Sequence, residues 1–421
     1  MICTIVSIIL AVLLVIAQGN GEVAVPSNAG LIFIITGLAF ILIPALVQII
    51  SLIPLQNTVK SITPRLFDLI KRDKFLLFST AAMFVFALLN FFFAYDPTPL
   101  HHNLTLLFAI WLVLFGIILD LFHFSIKRVS NYLNPYSIIQ FFTQEAKKSV
   151  QADEDNQLCL WIDDLSEIAS KAIDQHSISL CSNALDQMPI IAQFFMESAK
   201  SIGHIGPVAE KAQNKEDAET ALGKDADEVS FILFYIFQRL EYINDKALKY
   251  KIEPICSSII SILGKITISA AKFDLSLAGF PVHYIGKLTA RDEKGGYPEI
   301  GVKATFTLLE VAKTILSEVD FTYSDLKDPF LSIISHLEDI AKATFKRDKN
   351  TNIKVLIQPL RDLKQLFTSD KAAQHQDTPI IISNIDRVIG EFETLETVMK
   401  TLPPLDQITN MENSPPLPPE L

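Results

Sequence analysis

The sequence predicts an all-α fold, with four transmembrane helices followed by a multi-helix domain outside the bilayer. Two observations carry this prediction. The 421 residues are 50% hydrophobic, with a mean hydropathy of +0.33, and the most apolar stretches lie in residues 1–125. After Ser125 the apolar residues recur at helical spacing, and strand-like alternation bounded by turn pairs is scarce. The chain therefore divides into a membrane domain at 1–125 and a helical domain behind it.

Four stretches of the membrane domain approach the roughly 20 apolar residues that a helix needs to cross a bilayer. They cover 2–17, 31–53, 75–95 and 104–124. The first is short enough to resemble the hydrophobic region of a signal peptide, and Ala17-Gln18-Gly19 could serve as its cleavage site. Since no Lys or Arg precedes it, we expect a retained helix.

Basic residues predict the orientation, because cytoplasmic loops collect Lys and Arg. The loops at 19–30 and 96–103 have none, whereas the 55–74 loop holds Lys60, Arg65, Lys71, Arg72 and Lys74. Both termini are therefore expected in the cytoplasm, with the protein integral to a membrane, as in the inner membrane of a bacterium.

The net negative charge of the chain lies entirely in residues 126–421, which carry 31 of the 36 basic and 42 of the 47 acidic side chains. Phosphate backbones repel such a domain, so nucleic acid is not an expected partner. The four cysteines form no C-x-x-C pair, which favours free thiols in a reducing compartment.

The helical domain is expected in two lobes, a juxtamembrane lobe at 126–200 and a distal lobe at 229–401. A linker or loop at 201–228, rich in Lys, Glu, Asp, Gly and Ala, separates them, and 288–298 is a second predicted loop. Segment 126–150 is either an interfacial helix or the first core helix. The Pro-rich tail at 402–421 is expected to be disordered, although its prolines also suit docking in an aromatic groove.

A short sequence pattern recurs at 167–172, 299–304 and 339–343. It begins with an acidic residue and Ile, continues with Ala or Gly, and ends in Lys-Ala. The last two copies begin about 40 residues apart, a length that suits a helix-pair repeat. Stacked helical hairpins, as in a solenoid, would follow from such a repeat. Chance convergence of amphipathic helices explains the same strings.

Catalytic and metal-binding signatures are absent from the sequence: there is no P-loop, G-x-G-x-x-G, G-x-S-x-G, kinase motif or H-E-x-x-H. His101 and His102, with Asp96 nearby, lie in an outer loop, but adjacent residues diverge and a structural zinc site needs four ligands. We therefore expect no enzyme, no cofactor and no metal, and the other histidines are scattered.

Polar residues inside the predicted spans are functional suspects because they are costly in lipid. Gln48 and Asn90 are expected to bond between helices. Asp120 and His123 fall near the inner end of the fourth span, where both an interfacial and a functional role are open.

The inner loop carries Ser61-Ile62-Thr63-Pro64-Arg65-Leu66. Pro64 fixes its own φ and disfavours helix at Thr63, so the chain should turn there, and Arg65 should lie near the inner head groups. Together with two closely spaced spans and Phe122-His123-Phe124, this motif resembles a family of bacterial predicted membrane proteins designated domain of unknown function 2254. The resemblance covers mainly 31–150 and implies four spans and a cytosolic helical region; that family's Asn-Asp-Pro element is absent here.

These patterns favour a membrane-anchored interaction or scaffold protein that works in the cytoplasm. Its expected partners are the lipid bilayer and a cytosolic protein. One alternative is an oligomeric channel or transporter with a regulatory cytosolic domain, in which several copies of the chain enclose a pore. A second is an enzyme with an unfamiliar site that acts on lipid at the inner interface.

Overall fold

The computed structural model describes residues 2–19, 29–61, 63, 65–95, 104–205, 215–294, 296–319, 321, 325–348, 352–368 and 370–401. Every regular element in these ranges is helical, which confirms the all-α prediction. The chain divides into two compact units, Met1–Phe142 and Thr143–Leu421. The predicted outer loops lie largely, and the tail wholly, outside the described residues.

The first unit is a helical bundle, with its helices α1 to α5 at Ile2–Gly19, Ala29–Ser61, Arg65–Arg72, Lys74–Tyr95 and Leu104–Leu133. Helix α1 packs along α5, α2 packs along α4, and α4 also contacts α5. Aromatic rings fill the centre, where Phe33 meets Trp111 edge to face at 5.4 Å and Phe40 meets Phe86 at 5.3 Å. Such pairs add specific geometry to dispersion.

Helices α1 and α5 approach closely because Gly116 has no side chain. A Cβ there would overlap the Ser7 hydroxyl and lie 2.8 Å from the Cys3 carbonyl oxygen. Small residues at helix crossings are typical of packing in membranes.

Three described helices are long and apolar enough to cross a membrane: Lys74–Tyr95, Phe108–Leu133 and Glu253–Phe273. The first two match predicted spans, and only 28% of each apolar window is buried within the protein. In the other two predicted spans, the apolar helical stretches among the described side chains are Ile2–Ile16 and Gly30–Leu46. Glu253–Phe273 is 61% buried against neighbouring helices, so its apolar residues form protein core.

The second unit is built from the helices after α5, and α6 crosses the boundary between the units. Their bounds, for α6 to α17, are Pro135–Gln151, Asp155–Asp174, Ile178–Leu185, Gln187–Ile205, Lys215–Lys249, Glu253–Phe273, Gly279–Lys294, Pro298–Glu318, Lys327–Arg347, Ile353–Leu366, Asp370–Ala373 and Thr378–Thr401. A single 3₁₀ turn, Leu275–Ala278, precedes α12. From Thr143 onward, α6 bonds to α7 and α9, which favours its interpretation as a core helix.

The long helices of this unit form two layers. Each long helix packs against its neighbours in sequence, which lie mainly in the other layer, and against the next long helix of its own layer. The first layer contains α7, α10, α12, α14 and α17, and the second contains α9, α11, α13 and α15. Side-chain hydrogen bonds from α10 to α12 join residues 46 to 50 apart, and a bond from α14 to α17 joins residues 49 apart. In these two pairs the spacing is the length of one helical hairpin, whereas the α7–α10 hydrogen bonds join residues 72 and 76 apart.

That spacing corrects the shorter repeat length that the recurring strings suggested. The strings at 299–304 and 339–343 lie on α13 and α14, which belong to different layers, and a Cβ at Gly301 would lie 3.4 Å from Ile340. The two strings therefore pack against each other and are not equivalent positions of successive hairpins. Small residues in both strings allow this approach.

Both predicted loops are shorter than expected. Helix α9 continues to Ile205 and α10 begins at Lys215, so most of the predicted 201–228 linker is helical. Its Ala, Lys and Glu residues are good helix formers. Contacts from α7 to α10 and from α9 to α11 join helices of both predicted lobes in one unit. The second loop reduces to a turn after Lys294, where Gly296 adopts φ +101°.

Candidate functional site

Two of the predicted intramembrane polar residues are bonded within the first unit. The Trp111 Nε1 donates to Asn90 Oδ1 at 2.9 Å, and Asn90 Nδ2 donates to the Phe86 carbonyl at 2.7 Å. Asp120 accepts from the backbone N–H groups of Cys3 and Thr4 and from the Thr4 hydroxyl at 2.5 Å. Asp120 therefore caps the first turn of α1, whose leading N–H groups lack helical partners.

The remaining predicted site residues do not come together in one cluster within the described residues. Helix α5 continues beyond the predicted span, to Leu133, so Asp120 and His123 lie several turns before the helix ends. Arg65 begins α3, and its N–H donates to Thr63 Oγ1 at 3.4 Å across the turn. Pro64 and the side chains of Gln48 and Ser61 fall outside the described residues.

A buried carboxylate that sequence reasoning missed lies at the start of α4. Asp73 Oδ1 accepts from the N–H of Phe75 at 3.0 Å, and Oδ2 accepts from Arg128 Nε at 2.5 Å and from the Tyr132 hydroxyl at 2.8 Å. One side chain thus caps α4 and ties it to the end of α5. Its role is structural.

In the second unit, ion pairs connect neighbouring helices of the first layer. Between α7 and α10, Lys246 pairs with Asp174 at 2.6 Å. Between α14 and α17, Arg387 pairs with Glu338 at 3.1 Å. The α10–α12 pairs are the densest, and they join Lys287 to Glu241 at 2.8 Å, Arg291 to Glu241 at 2.8 Å, and Arg291 to Asp245 at 2.6 Å.

Beneath those pairs, Asn244 and Asp292 are both fully buried, and Asn244 Nδ2 donates to Asp292 Oδ1 at 2.7 Å. Burial raises the pKa of Asp292 to about 6, although the bond from Asn244 opposes the shift. Asp292 Oδ2 and Asn244 Oδ1 have no partner among the described residues. A protonated Asp292 would let Oδ2 donate to Asn244 Oδ1 and satisfy both atoms.

The joint between α12 and α14 differs from these joints. No ion pair connects the two helices within the described part of the chain, and a cleft of about 430 Å³ opens there instead. Its floor is made of small and aliphatic residues: Gly286, Ala290, Ile340 and Ala343. We call this feature the α12–α14 cleft.

An imidazole closes one end of the α12–α14 cleft. The His336 ring lies so close to Gly286 that a Cβ there would overlap it. His283, exposed on α12, is 5.8 Å from His336 between ring centroids. Burial, followed by the proximity of His283, lowers the pKa of His336, and Asp339 opposes that shift. His336 is therefore neutral at pH 7.

Three cations line the cleft near the C-terminal ends of its two helices: Lys294, Lys346 and Arg347. All three are exposed, which leaves them open to an anionic ligand. Glu293 lies deeper, with Oε1 buried against Gly301 and without a hydrogen-bond partner among the described residues. Burial raises the pKa of Glu293, and Arg347 opposes the shift. The three cations outnumber Glu293 and Asp339, so the cleft lining has a slight excess of positive charge within an acidic unit.

Metal-binding geometry is met by one acidic group in the described ranges, formed by Asp153, Asp155 and Glu228. Two of its three residues are exposed, and exposed acidic groups are common without a metal. The group is therefore not assigned as a metal site.

His283 and His336 look scattered in the sequence, since they lie far apart along the chain. The signal that could have paired them is the length of the hairpin between them, since they are 53 residues apart and lie on neighbouring first-layer helices. Hydrophobic periodicity reveals that each segment is helical, but it does not reveal that length.

No protein-family model matches the chain, and no curated protein matches it. Among solved structures, one similarity is to a circular tandem repeat protein with novel repeat topology and enhanced subunit contact surfaces. The identity is 12%, the aligned region covers 89% of this chain and 99% of that one, and the TM-score is 0.29. This distant similarity does not indicate a function.

Proposed function

We propose that this protein is a membrane-anchored scaffold that binds a cytoplasmic protein partner through the α12–α14 cleft. The observation that carries the proposal is the contrast within the first layer. Neighbouring helices are joined by ion pairs at α7–α10, α10–α12 and α14–α17, whereas α12 and α14 pack closely where Gly286 meets His336 and leave a cleft beside that contact.

Anchoring is supported by the outward-facing apolar side chains of the first unit. Leu77, Phe78, Phe84 and Phe92 are each more than half exposed along α4. Exposed rings and leucines in such number are unfavourable in water and suit a lipid environment. The basic 55–74 loop then favours a cytoplasmic second unit.

Scaffolding is supported by the two-layer order of the second unit. Helices that contact only near neighbours in sequence form an extendable stack of hairpins, as in helical solenoids. Such stacks expose long surfaces whose joints can differ from one repeat to the next. The α12–α14 cleft is a joint of this kind.

The lining of the cleft indicates the chemistry of the partner. An aliphatic side chain such as Leu would bury apolar area on Ala290, Ile340 and Ala343, worth about 1.5–3 kcal/mol when burial is complete. Acidic neighbours of that side chain would meet Lys294 and Arg347 at the rim. The partner segment is therefore acidic and contains leucine or a similar residue.

The channel alternative requires polar side chains to face a pore. Asn90 and Asp120 instead bond to Trp111 and to the start of α1 within one bundle. We therefore favour the scaffold over the channel.

A matched pair of variants tests the scaffold. The cleft-rim variant carries three charge reversals: Lys294→Glu, Lys346→Glu and Arg347→Glu. The control variant reverses three exposed lysines of the second layer: Lys303→Glu, Lys313→Glu and Lys354→Glu. Full-length proteins in mild detergent are used to recover partners from their native cell extract. A protein that wild type and control retain, and that the cleft-rim variant loses, is expected. Equal recovery by all three proteins would contradict the proposal.

Topology is tested separately. A reporter fused after Leu421 should be inaccessible from outside intact cells and become accessible once the membrane is permeabilised. An exterior reporter would exclude a cytoplasmic partner, whatever the cleft binds.

A further inference from the structure

The chain itself contains a segment that suits the α12–α14 cleft: residues 402–421, which follow α17 and lie outside the described residues. Their sequence contains three acidic side chains, Asp406, Glu412 and Glu420, and no Lys, Arg or His. Leucine occurs at 402, 405, 417 and 421, among six prolines. This composition matches the acidic, leucine-containing segment that the cleft lining calls for.

The tail also begins at the appropriate end of the cleft. Helices α14 and α17 run in the same direction, since Glu338 pairs with Arg387 and Lys342 pairs with Glu391, both 49 residues apart. The same offset places Arg347 level with Glu396, so α17 ends at Thr401 five residues further on, or about 7.5 Å. The first tail residue thus follows a helix end close to the cationic rim.

Residues 402–421 are long enough to reach the α12–α14 cleft from the end of α17. Neighbouring helix axes lie about 8–10 Å apart, so crossing from α17 over α14 to the cleft requires roughly 20 Å. Twenty residues, 402 to 421, span up to about 60 Å when extended at 3.1 Å per residue. Prolines also reduce the conformational entropy that an extended segment loses on binding.

We infer that residues 402–421 bind in the α12–α14 cleft of the same chain, with leucines on the aliphatic floor and acidic side chains on Lys294, Lys346 and Arg347. The inference deepens the proposed function and depends on the cleft being a peptide site. Since a tethered segment has an effective concentration in the millimolar range, a partner must compete with it. The tail therefore sets a threshold for partner binding.

Photo-crosslinking of the full-length protein tests the inference. A photoreactive amino acid replaces Asp339, which is exposed at the cleft, and in a control protein it replaces Asp362, which is exposed on α15. Asp362 is also within reach of the tail, because its neighbour Arg361 bonds to Glu393 near the end of α17. Isotopically heavy and light proteins are mixed in mild detergent, so that crosslinks within one chain keep a single label.

Single-label crosslinks from position 339 to residues 402–421 are expected, with little reaction from position 362. The three reversals of the cleft-rim variant should reduce the yield about fivefold or more, since they replace attraction between the rim and the tail with repulsion. The three reversals of the control variant should leave the yield unchanged. Adding Asp406→Lys, Glu412→Lys and Glu420→Lys to the cleft-rim variant should restore it.

Other outcomes would overturn the inference in recognisable ways. Mixed-label crosslinks would assign the cleft to the tail of a second copy. Equal crosslinking from positions 339 and 362 would show that the tail has no preferred site. If wild type retained a partner through the cleft but no tail crosslink formed, the inference would fail and the proposed function would stand.

Discussion

The two joints on either side of α12 solve the same packing problem in different ways. Towards α10, Lys287 and Arg291 reach Glu241 and Asp245, and Asp292 bonds to Asn244 below them. Towards α14, Gly286 and Ala290 leave room for the His336 ring and for the α12–α14 cleft. One helix thus carries a sealed edge and an open edge.

Helical spacing explains how the two edges coexist. Lys287 and Arg291 are four residues apart, and so are Gly286 and Ala290, so each pair follows its own side of the helix. Long charged residues therefore bridge the α10–α12 joint, whereas small residues let α12 approach α14 closely and leave a cleft beside that contact. Changing either set should move one joint without moving the other.

The largest expected effect is at the sealed joint, where Asp292→Asn should remove a pH dependence. The folded pKa of Asp292 is raised from 3.8 to about 6. Its contribution to stability is therefore fully present below the unfolded pKa and is lost as pH rises through about 6, a change on the order of 3 kcal/mol. Asparagine does not titrate and can still pair with Asn244.

Chemical denaturation of both full-length proteins at pH 4 to 7.5 measures the difference. The free energy of unfolding of Asp292→Asn, relative to wild type, should rise with pH. Asp362→Asn, on the exposed face of α15, serves as the control for replacing a carboxylate with an amide, and its change in the free energy of unfolding should be within about 0.5 kcal/mol. Parallel curves for Asp292→Asn and wild type would show that Asp292 is ionised at low cost.

The next effect is at the open joint, where Gly286→Leu should force α12 and α14 apart. Its side chain would overlap His336, and overpacking of this kind costs about 1–3 kcal/mol. Ala290→Leu is the matched control, because Ala290 is exposed in the cleft and extra atoms there displace no buried group. Its change in stability should be within about 0.5 kcal/mol.

The same two variants separate folding from binding. Ala290→Leu fills the floor of the cleft, so it should weaken partner recovery even though the unfolding free energy is kept. If Gly286→Leu were as stable as Ala290→Leu, the close contact between α12 and α14 would not be a constraint on the fold.

The sequence predicted the helices of the second unit more fully than their arrangement. Apolar residues from Ile300 to Ile315 recur at helical spacing and are buried on α13 as that spacing implies. Which helices become neighbours depends on the hairpin length, and that length follows from tertiary contacts such as Glu241 with Arg291. The recurring strings suggested a shorter repeat because α13 and α14 both need small residues where they touch.

The candidate site could largely not be predicted from the sequence, because it also depends on tertiary contacts. Gly286 and His336 lie far apart in the sequence and are unremarkable by themselves, and their contact creates one end of the cleft. In the first unit, by contrast, Asn90 and Asp120 could be singled out because any polar residue in a predicted span is unusual. The sequence points to residues that depart from a local pattern, whereas the residues that line the cleft are ordinary in their local context.

The smallest expected effect is that of Glu241→Gln, which removes the negative charge shared by Lys287 and Arg291 at the α10–α12 joint while keeping an acceptor oxygen. Burial by itself raises the pKa of Glu241, but the two cations more than offset it and lower the pKa. Its contribution is therefore present above the unfolded pKa and lost as pH falls. Because both cations are partly exposed, the loss at pH 7 should be about 1 kcal/mol or less.

Salt separates this ion-pair effect from lost packing, since added salt screens exposed charges. Denaturation at about 0.05 M and 1 M salt should show the difference between wild type and Glu241→Gln shrinking at the higher concentration. Glu310→Gln, at an exposed position of α13, provides the control. If the difference were independent of salt, shape and not charge would hold the α10–α12 joint closed, and the contrast with the α12–α14 cleft would need a different physical basis.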